Sequence, residues 1–249
     1  MGIRKRVGKD WISIGNKIDT YIPYKNRIHT FLTMRILFFD TETQGLPLTR
    51  STDIQNVANW PRIVSVSWQV YDFLTDPAEL KENETFLVKP QENAKWSLEA
   101  ERIHGITRER ACLEGKPIRE ILELFQKHSD VDIIVSHNIA FDKPILLAEF
   151  VRENMPITWW PKIEYCTMEN SKQLCKLPPK TKNPKPSDPY KYPQLKELQT
   201  FLFGEAKSDI AFHTANGDVQ CLVQCFLELW KKNHVPVGEW RSRLSIGKA

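Results

Sequence analysis

The chain has 249 residues, 41% of them hydrophobic and 27% charged, with a formal net charge of +4. This is globular composition with enough apolar material for a sizeable core, which excludes collagen-like, coiled-coil and wholly disordered chains. No run reaches the roughly 18 consecutive apolar residues of a membrane span, and five dispersed cysteines favour a reducing, intracellular setting over a disulfide scaffold.

The basic balance is local. Residues 1–33 hold seven basic residues against Asp10 and Asp19, a charge of +5, and the remainder totals −1. Such a basic N-terminal extension either binds polyanions or is a solvated, disordered terminus. It lacks the apolar region of a secretory signal, and Arg6 stands where N-myristoylation favours Ser or Thr. A bacterial chain would then be cytoplasmic, with organelle targeting by the leader left open. Met34, just before the first strand, reads as an alternative start.

Arg35–Asp40 is a short apolar run closed by Gln44-Gly45-Leu46-Pro47, the pattern of a buried strand. Ile63–Phe73 alternates as a second strand, and Glu84–Val88 as a third. Ser97–His104 reads as a short helix with Ser97 as N-cap and Gly105 past its end. Ile118–His128 has a helical apolar stripe. Val131–Ser136 is another buried strand, Phe141–Glu153 a helix and Ala215–Lys232 a long closing helix. This order predicts one α/β domain over 34–232 with a mixed sheet flanked by helices, followed by a C-terminal tail at 233–249. Lys172–Lys196, with seven lysines, six prolines and one acid, reads as an extended insertion.

Asp40 and Glu42 form an Asp-x-Glu pair at a strand end. Side chains two apart on a strand share a face. Paired carboxylates repel unless a cation lies between them, and hard oxygen ligands suit Mg²⁺ or Mn²⁺. The bland reading is a solvated strand end. Asp142 follows a strand and a short loop ahead of Pro144, where an N-cap is the ordinary role. His213 and Asp218 are five apart, about 140° on a continuous helix. To act together they need His213 in a loop or frayed turn, which Gly217 permits.

Taken together, Phe39–Thr43 (FDTET), His137–Asp142 (HNIAFD) and His213–Asp218 (HTANGD) resemble the three exonuclease motifs of the DnaQ-like DEDDh superfamily. That family includes the polymerase III proofreading epsilon subunit, ribonuclease T and oligoribonuclease. The resemblance covers roughly 34–232, with minor support from His104-Gly105-Ile106-Thr107. It implies a ribonuclease H-like fold and 3′→5′ hydrolysis of phosphodiester bonds at single-stranded ends, DNA favoured. It assigns two Mg²⁺ or Mn²⁺ ions to Asp40, Glu42, Asp142 and Asp218, and the general base to His213. Two divalent ions balance four carboxylates, activate a water and stabilise the leaving oxygen. An imidazole exchanges protons near neutral pH. The sequence departs from many relatives at Thr43-Gln44-Gly45 and at Cys166-Thr167.

By the same resemblance, Thr41, Leu46, Asn138 and Phe141 contact the terminal nucleotide; for Leu46 and Phe141 core packing is the competing reading. The lysines of 172–196 either track the phosphate backbone or form a solvated loop. Cys166, Cys175, Cys221 and Cys225 lack zinc-site spacing and read as core. The remaining alternatives are an exoribonuclease trimming RNA 3′ ends and a catalytically idle nucleic-acid-binding module of the same fold. A polymerase or other replication or repair partner stays open.

Overall fold

The computed structural model describes residues 34–73, 78–92, 94–179, 187, 189–204 and 211–246. The basic leader 1–33, and Lys180, Lys182 and Lys185 of the insertion, lie outside them. Five strands form one sheet: β1 (Met34–Thr43), β2 (Ile63–Phe73), β3 (Glu79–Leu87), β4 (Ile133–Ser136) and β5 (Ile163–Cys166), in the order β3-β2-β1-β4-β5. β1 pairs antiparallel with β2 and parallel with β4. β3 continues antiparallel on one side and β5 parallel on the other, so the sheet is mixed, as expected.

Among the described residues the helices are α1 (Leu98–His104), α2 (Arg108–Glu114), α3 (Ile118–Gln126), α4 (Ile139–Arg152), α5 (Thr167–Cys175), α6 (Leu195–Phe203), α7 (Ala215–Lys231) and α8 (Val237–Ile246). The Ser97 hydroxyl accepts from the Ala100 N–H and α1 stops at Gly105, with φ 70°, as the sequence predicts. None of these helices is long and apolar enough to cross a membrane.

Strand alternation divides the core. Ile36 and Phe38 point to one face, where they join Val219, Leu222 and Phe226 of α7. Leu37 and Phe39 point to the other, against Ile121, Leu122 and Phe125 of α3 and Ile145 of α4. Burying side chains of this size contributes roughly 1.5–3 kcal/mol each, so β1 is the element both layers grip. Its even-numbered end therefore looks toward α7 and its odd-numbered end toward α4.

Four expectations need correction. The strand expected from Glu84 begins at Glu79, because β3 is a charged edge strand that carries little apolar signal. The insertion is not wholly irregular: its first residues close α5 and its last open α6. The stretch 233–249, expected as a tail, carries α8, whose Trp240 ring stacks on Phe226 at 6.4 Å and meets Tyr165 edge-on at 5.3 Å. Asp142 is not the N-cap of α4. That position is held by Asn138 at φ 73°, and Asp142 lies inside the first turn. Cys166, Cys175, Cys221 and Cys225 are all buried, in keeping with the core reading.

Candidate active site

β1 continues past its apolar run through Asp40, Thr41 and Glu42 because β2 pairs with it to the end, with an irregularity between Glu42 and Thr43. Alternation sends Asp40 and Glu42 toward α7. There Asp218 meets them, and one carboxylate oxygen from each of the three lies within 4.8 Å of the others. Burial, followed by the charges of Asp142, Asp218 and Glu42, holds the Asp40 carboxyl well above the usual carboxylate range. Burial and the same neighbouring acids push Glu42 up to about 8. Asp218 rises to about 6 through burial, with His213 pulling it back. Among the described residues no lysine or arginine pairs with any of these acids.

Thr41 points the other way, toward α4, and meets Asp142. Its backbone N–H and hydroxyl both donate to Asp142 Oδ1, at 3.1 and 2.7 Å. The Ser136 hydroxyl at the end of β4 donates to Oδ2 at 2.9 Å. Burial raises this carboxyl and the three donors draw it back, leaving it at about 6. Asp142 thus stands behind Asp40 with both oxygens already engaged, and it is not one of the three-oxygen group.

His213 lies in the turn ahead of α7, with φ 61°, and Asp218 lies in the first turn of the helix, the arrangement their spacing demands. The His213 N–H donates to Asp218 Oδ2 at 3.2 Å, while its side chain is exposed. Thr214 caps the helix: its hydroxyl accepts from the Gly217 N–H at 3.1 Å and donates to the Ala211 carbonyl at 2.7 Å. Gly217 makes this fold-back possible, since a Cβ there would stand 2.0 Å from the Ala211 oxygen.

Beside the carboxylates lies a cleft of about 480 Å³ lined by Thr41, Glu42, Leu46, Ile103, His104 and Phe141, among others. Thr41, Leu46 and Phe141, three of the four expected substrate contacts, are thus gathered on one wall; Asn138 caps α4 and does not line the cleft. Leu46 is 78% exposed, which removes the core-packing reading for it. Gly45, at φ 151°, turns the chain there, and the Thr43 hydroxyl donates to its carbonyl at 2.7 Å. Farther along this loop, Arg152 donates to the Val57 and Trp60 carbonyls, and the buried Glu149 accepts from Arg62 at 2.9 Å.

The facing wall was missed by sequence reasoning. It is α1, with Ala100, Ile103 and His104. The His104 Nδ1 accepts from the Ile106 N–H at 3.0 Å, so the ring proton sits on Nε2. The legible signal was the His-Gly-Ile-Thr run itself. A second histidine, His137, is half-buried, and desolvation lowers it to about 4, so it is neutral near pH 7. It faces the Pro193 carbonyl at 3.0 Å through Nε2, which must donate, so Nδ1 accepts from the Thr167 hydroxyl at 2.9 Å.

Comparison with known proteins gives this geometry a context. A model of the RNase T family, described as exonuclease, matches residues 37–226. No curated protein sequence matches the chain. Among solved structures, the zinc-bound form of an Escherichia coli exonuclease I–single-stranded DNA complex is similar over 80% of this chain and 41% of its own, with 20% identity and a TM-score of 0.59. The same enzyme with a dT13 oligonucleotide gives the same coverage, identity and score. A moderately thermophilic exonuclease I from Methylocaldum szegediense is 18% identical, with 80% and 40% coverage and a TM-score of 0.57. The chain therefore shares their fold and spans about two fifths of their length.

Proposed function

Because the chain belongs to the RNase T exonuclease family, we propose that it removes nucleotides from the 3′ ends of single-stranded nucleic acid, with DNA the preferred polymer, and that residues 34–232 form the catalytic domain. The observation that carries this reading is the cluster of Asp40, Glu42 and Asp218, whose Glu42 also lines a cleft of about 480 Å³. The exonuclease I structures with bound single-stranded DNA favour DNA over RNA as the first substrate to try.

The donor set fits hard divalent cations. The acids stand within reach of one another, no lysine or arginine pairs with them among the described residues, and burial followed by mutual repulsion raises their proton affinities. Asp40, Glu42 and Asp218, with Asp142 behind them, would hold the ions. Two such ions, Mg²⁺ or Mn²⁺, supply activation of a water and stabilisation of the leaving 3′ oxygen when bound. In this reading the remaining work falls to the chain. Thr41, Leu46 and Phe141 on one side, and Ile103 and His104 on the other, hold the terminal nucleotide. An apolar side chain as exposed as Leu46 is placed to press against a base. His213 receives the proton of the attacking water, and its turn, anchored through Asp218, keeps the imidazole beside the reacting phosphate.

The test is degradation of 5′-labelled single-stranded DNA and RNA of matched sequence, with Mg²⁺, Mn²⁺ or EDTA, beside Asp40→Ala. A ladder shortening from the 3′ end, abolished by EDTA and by the substitution, is expected. Binding without cleavage under either metal would overturn the enzyme reading in favour of an idle binding module.

A further inference from the structure

The cleft beside Glu42 accounts for one side of a strand end only. Its volume of about 480 Å³ is that of a small-ligand pocket, roughly 300–1,000 Å³, and holds a nucleotide, not a strand. Its α1 wall lies on the β2–β3 side of β1, where Ile106 and Ala111, just beyond α1, pack on Val64 of β2. A strand with its last nucleotide in that cleft and the adjoining phosphate at the carboxylates must leave across the opposite side, over the ends of β4 and β5.

That opposite side is basic and aromatic. Tyr192 is 48% exposed, and the Lys172 ammonium lies 4.1 Å from its ring centroid. Lys196, exposed at the start of α6, places its ammonium over the Phe212 ring at 5.8 Å. Phe212 immediately precedes His213. Lys196 has no carboxylate partner among the described residues, whereas neighbouring Glu197 is engaged by Lys191 and by the Gln194 N–H. The surface is fixed to the site and not merely near it. The Pro193 carbonyl, next to Tyr192, is held by His137, and Ser136, one residue before His137, holds Asp142.

We propose that Tyr192, Lys196 and Phe212 form the track for the nucleotides upstream of the cleaved bond. The inference rests on the exonuclease reading and adds to it a second, length-dependent binding surface. Rings offer stacking to any base and lysines offer charge to any phosphate, so the track is one for single strands without sequence preference.

The experiment compares a thymidine dinucleotide with a thymidine decanucleotide. In the wild-type protein kcat/KM is expected to rise with length. Tyr192→Ala is expected to lower kcat/KM on the decanucleotide about tenfold more than on the dinucleotide, chiefly through KM, with Tyr192→Phe restoring it. Lys196→Gln should flatten the dependence of log affinity on log salt for the decanucleotide by about 0.7. Equal losses on both lengths would mean a structural role and overturn the proposal, as would an unchanged length dependence. A wild-type protein inactive on every length would refute the exonuclease reading instead. Fluorescence anisotropy of the two labelled oligonucleotides then still decides the track, since only a real track loses its length preference in Tyr192→Ala.

Discussion

Asp142 is 3% exposed, with donors from β1 and β4 on both carboxylate oxygens, whereas His213 is exposed in a turn tied to the acidic cluster by one backbone hydrogen bond to Asp218. The carboxylates stand on strands and helix starts that the core fixes, so their positions are set before any ligand arrives, at the cost of crowding like charges out of water. The histidine contributes nothing to the core: its ring is exposed and is placed through its backbone. In the proposed reading, stability and activity are therefore opposed on the carboxylate side of this site and only weakly linked on the histidine side.

The largest effect should come from Asp40. Asp40→Asn keeps the shape and removes one half-buried acid. Turnover should fall by at least about 1000-fold, as loss of a ligand to catalytic ions would cause. The melting temperature of the metal-free protein at pH 8 should rise, since repulsion from Glu42, Asp142 and Asp218 is relieved. A drop in melting temperature, read by calorimetry beside the rate assay, would break the claim that stability and activity are opposed there. His213→Ala should lower kcat by about 10²–10⁴-fold, the range for a general base, with stability unchanged within about 0.5 kcal/mol. An undiminished rate would remove His213 as the base. Ser136→Ala should act more mildly. It leaves Asp142 short of one donor, which should weaken divalent-ion affinity about 10–100-fold, the usual effect of losing a ligand's supporting bond. It should also destabilise by about 1–3 kcal/mol, measurable by ion titration and denaturant unfolding.

The same contrast governs what could be read from the sequence. Asp40 and Glu42 were legible as a pair because strand alternation is a local rule, and Phe38 and Phe39 show the alternation carried into the two cores. The His213–Asp218 relation was legible because five residues cannot share a helix face, so a turn was required. Local spacing alone makes Asp142 look like a cap; only the resemblance put it among the metal ligands, and only the tertiary approach of Thr41, 101 residues away in sequence, shows where its oxygens go. The helix α1 was legible, but its place as a wall of the cleft was missed for the same reason, since nothing local says that Ile103 and His104 will face Leu46. The first half of β3 and the whole of α8 escaped because charged edge strands and short polar helices carry little periodic apolar signal.

The smallest effect predicted is the dependence of metal-free stability on pH, and its sign is the most particular. Glu42 is pushed up to about 8, and Asp142 and Asp218 to about 6, all above their values in an unfolded chain. Between the unfolded and folded values the native state binds more protons than the unfolded one, so unfolding free energy decreases as pH rises. Metal-free protein should therefore melt a few degrees higher at pH 6 than the remaining titrating groups would dictate, and lose that increment toward pH 8. Wild type minus Asp40→Asn isolates the part due to mutual repulsion, because Asp40 is the acid whose proton affinity Asp142, Asp218 and Glu42 all raise. Saturating Mg²⁺ should reverse the trend. The ion requires deprotonated carboxylates, so it stabilises most at pH 8 and least at pH 6. His213→Ala should leave nearly all of this pH response in place. If it instead removed the response as fully as Asp40→Asn does, the histidine would belong energetically to the carboxylate cluster, and the division of the site into a fixed half and an exposed half would fail.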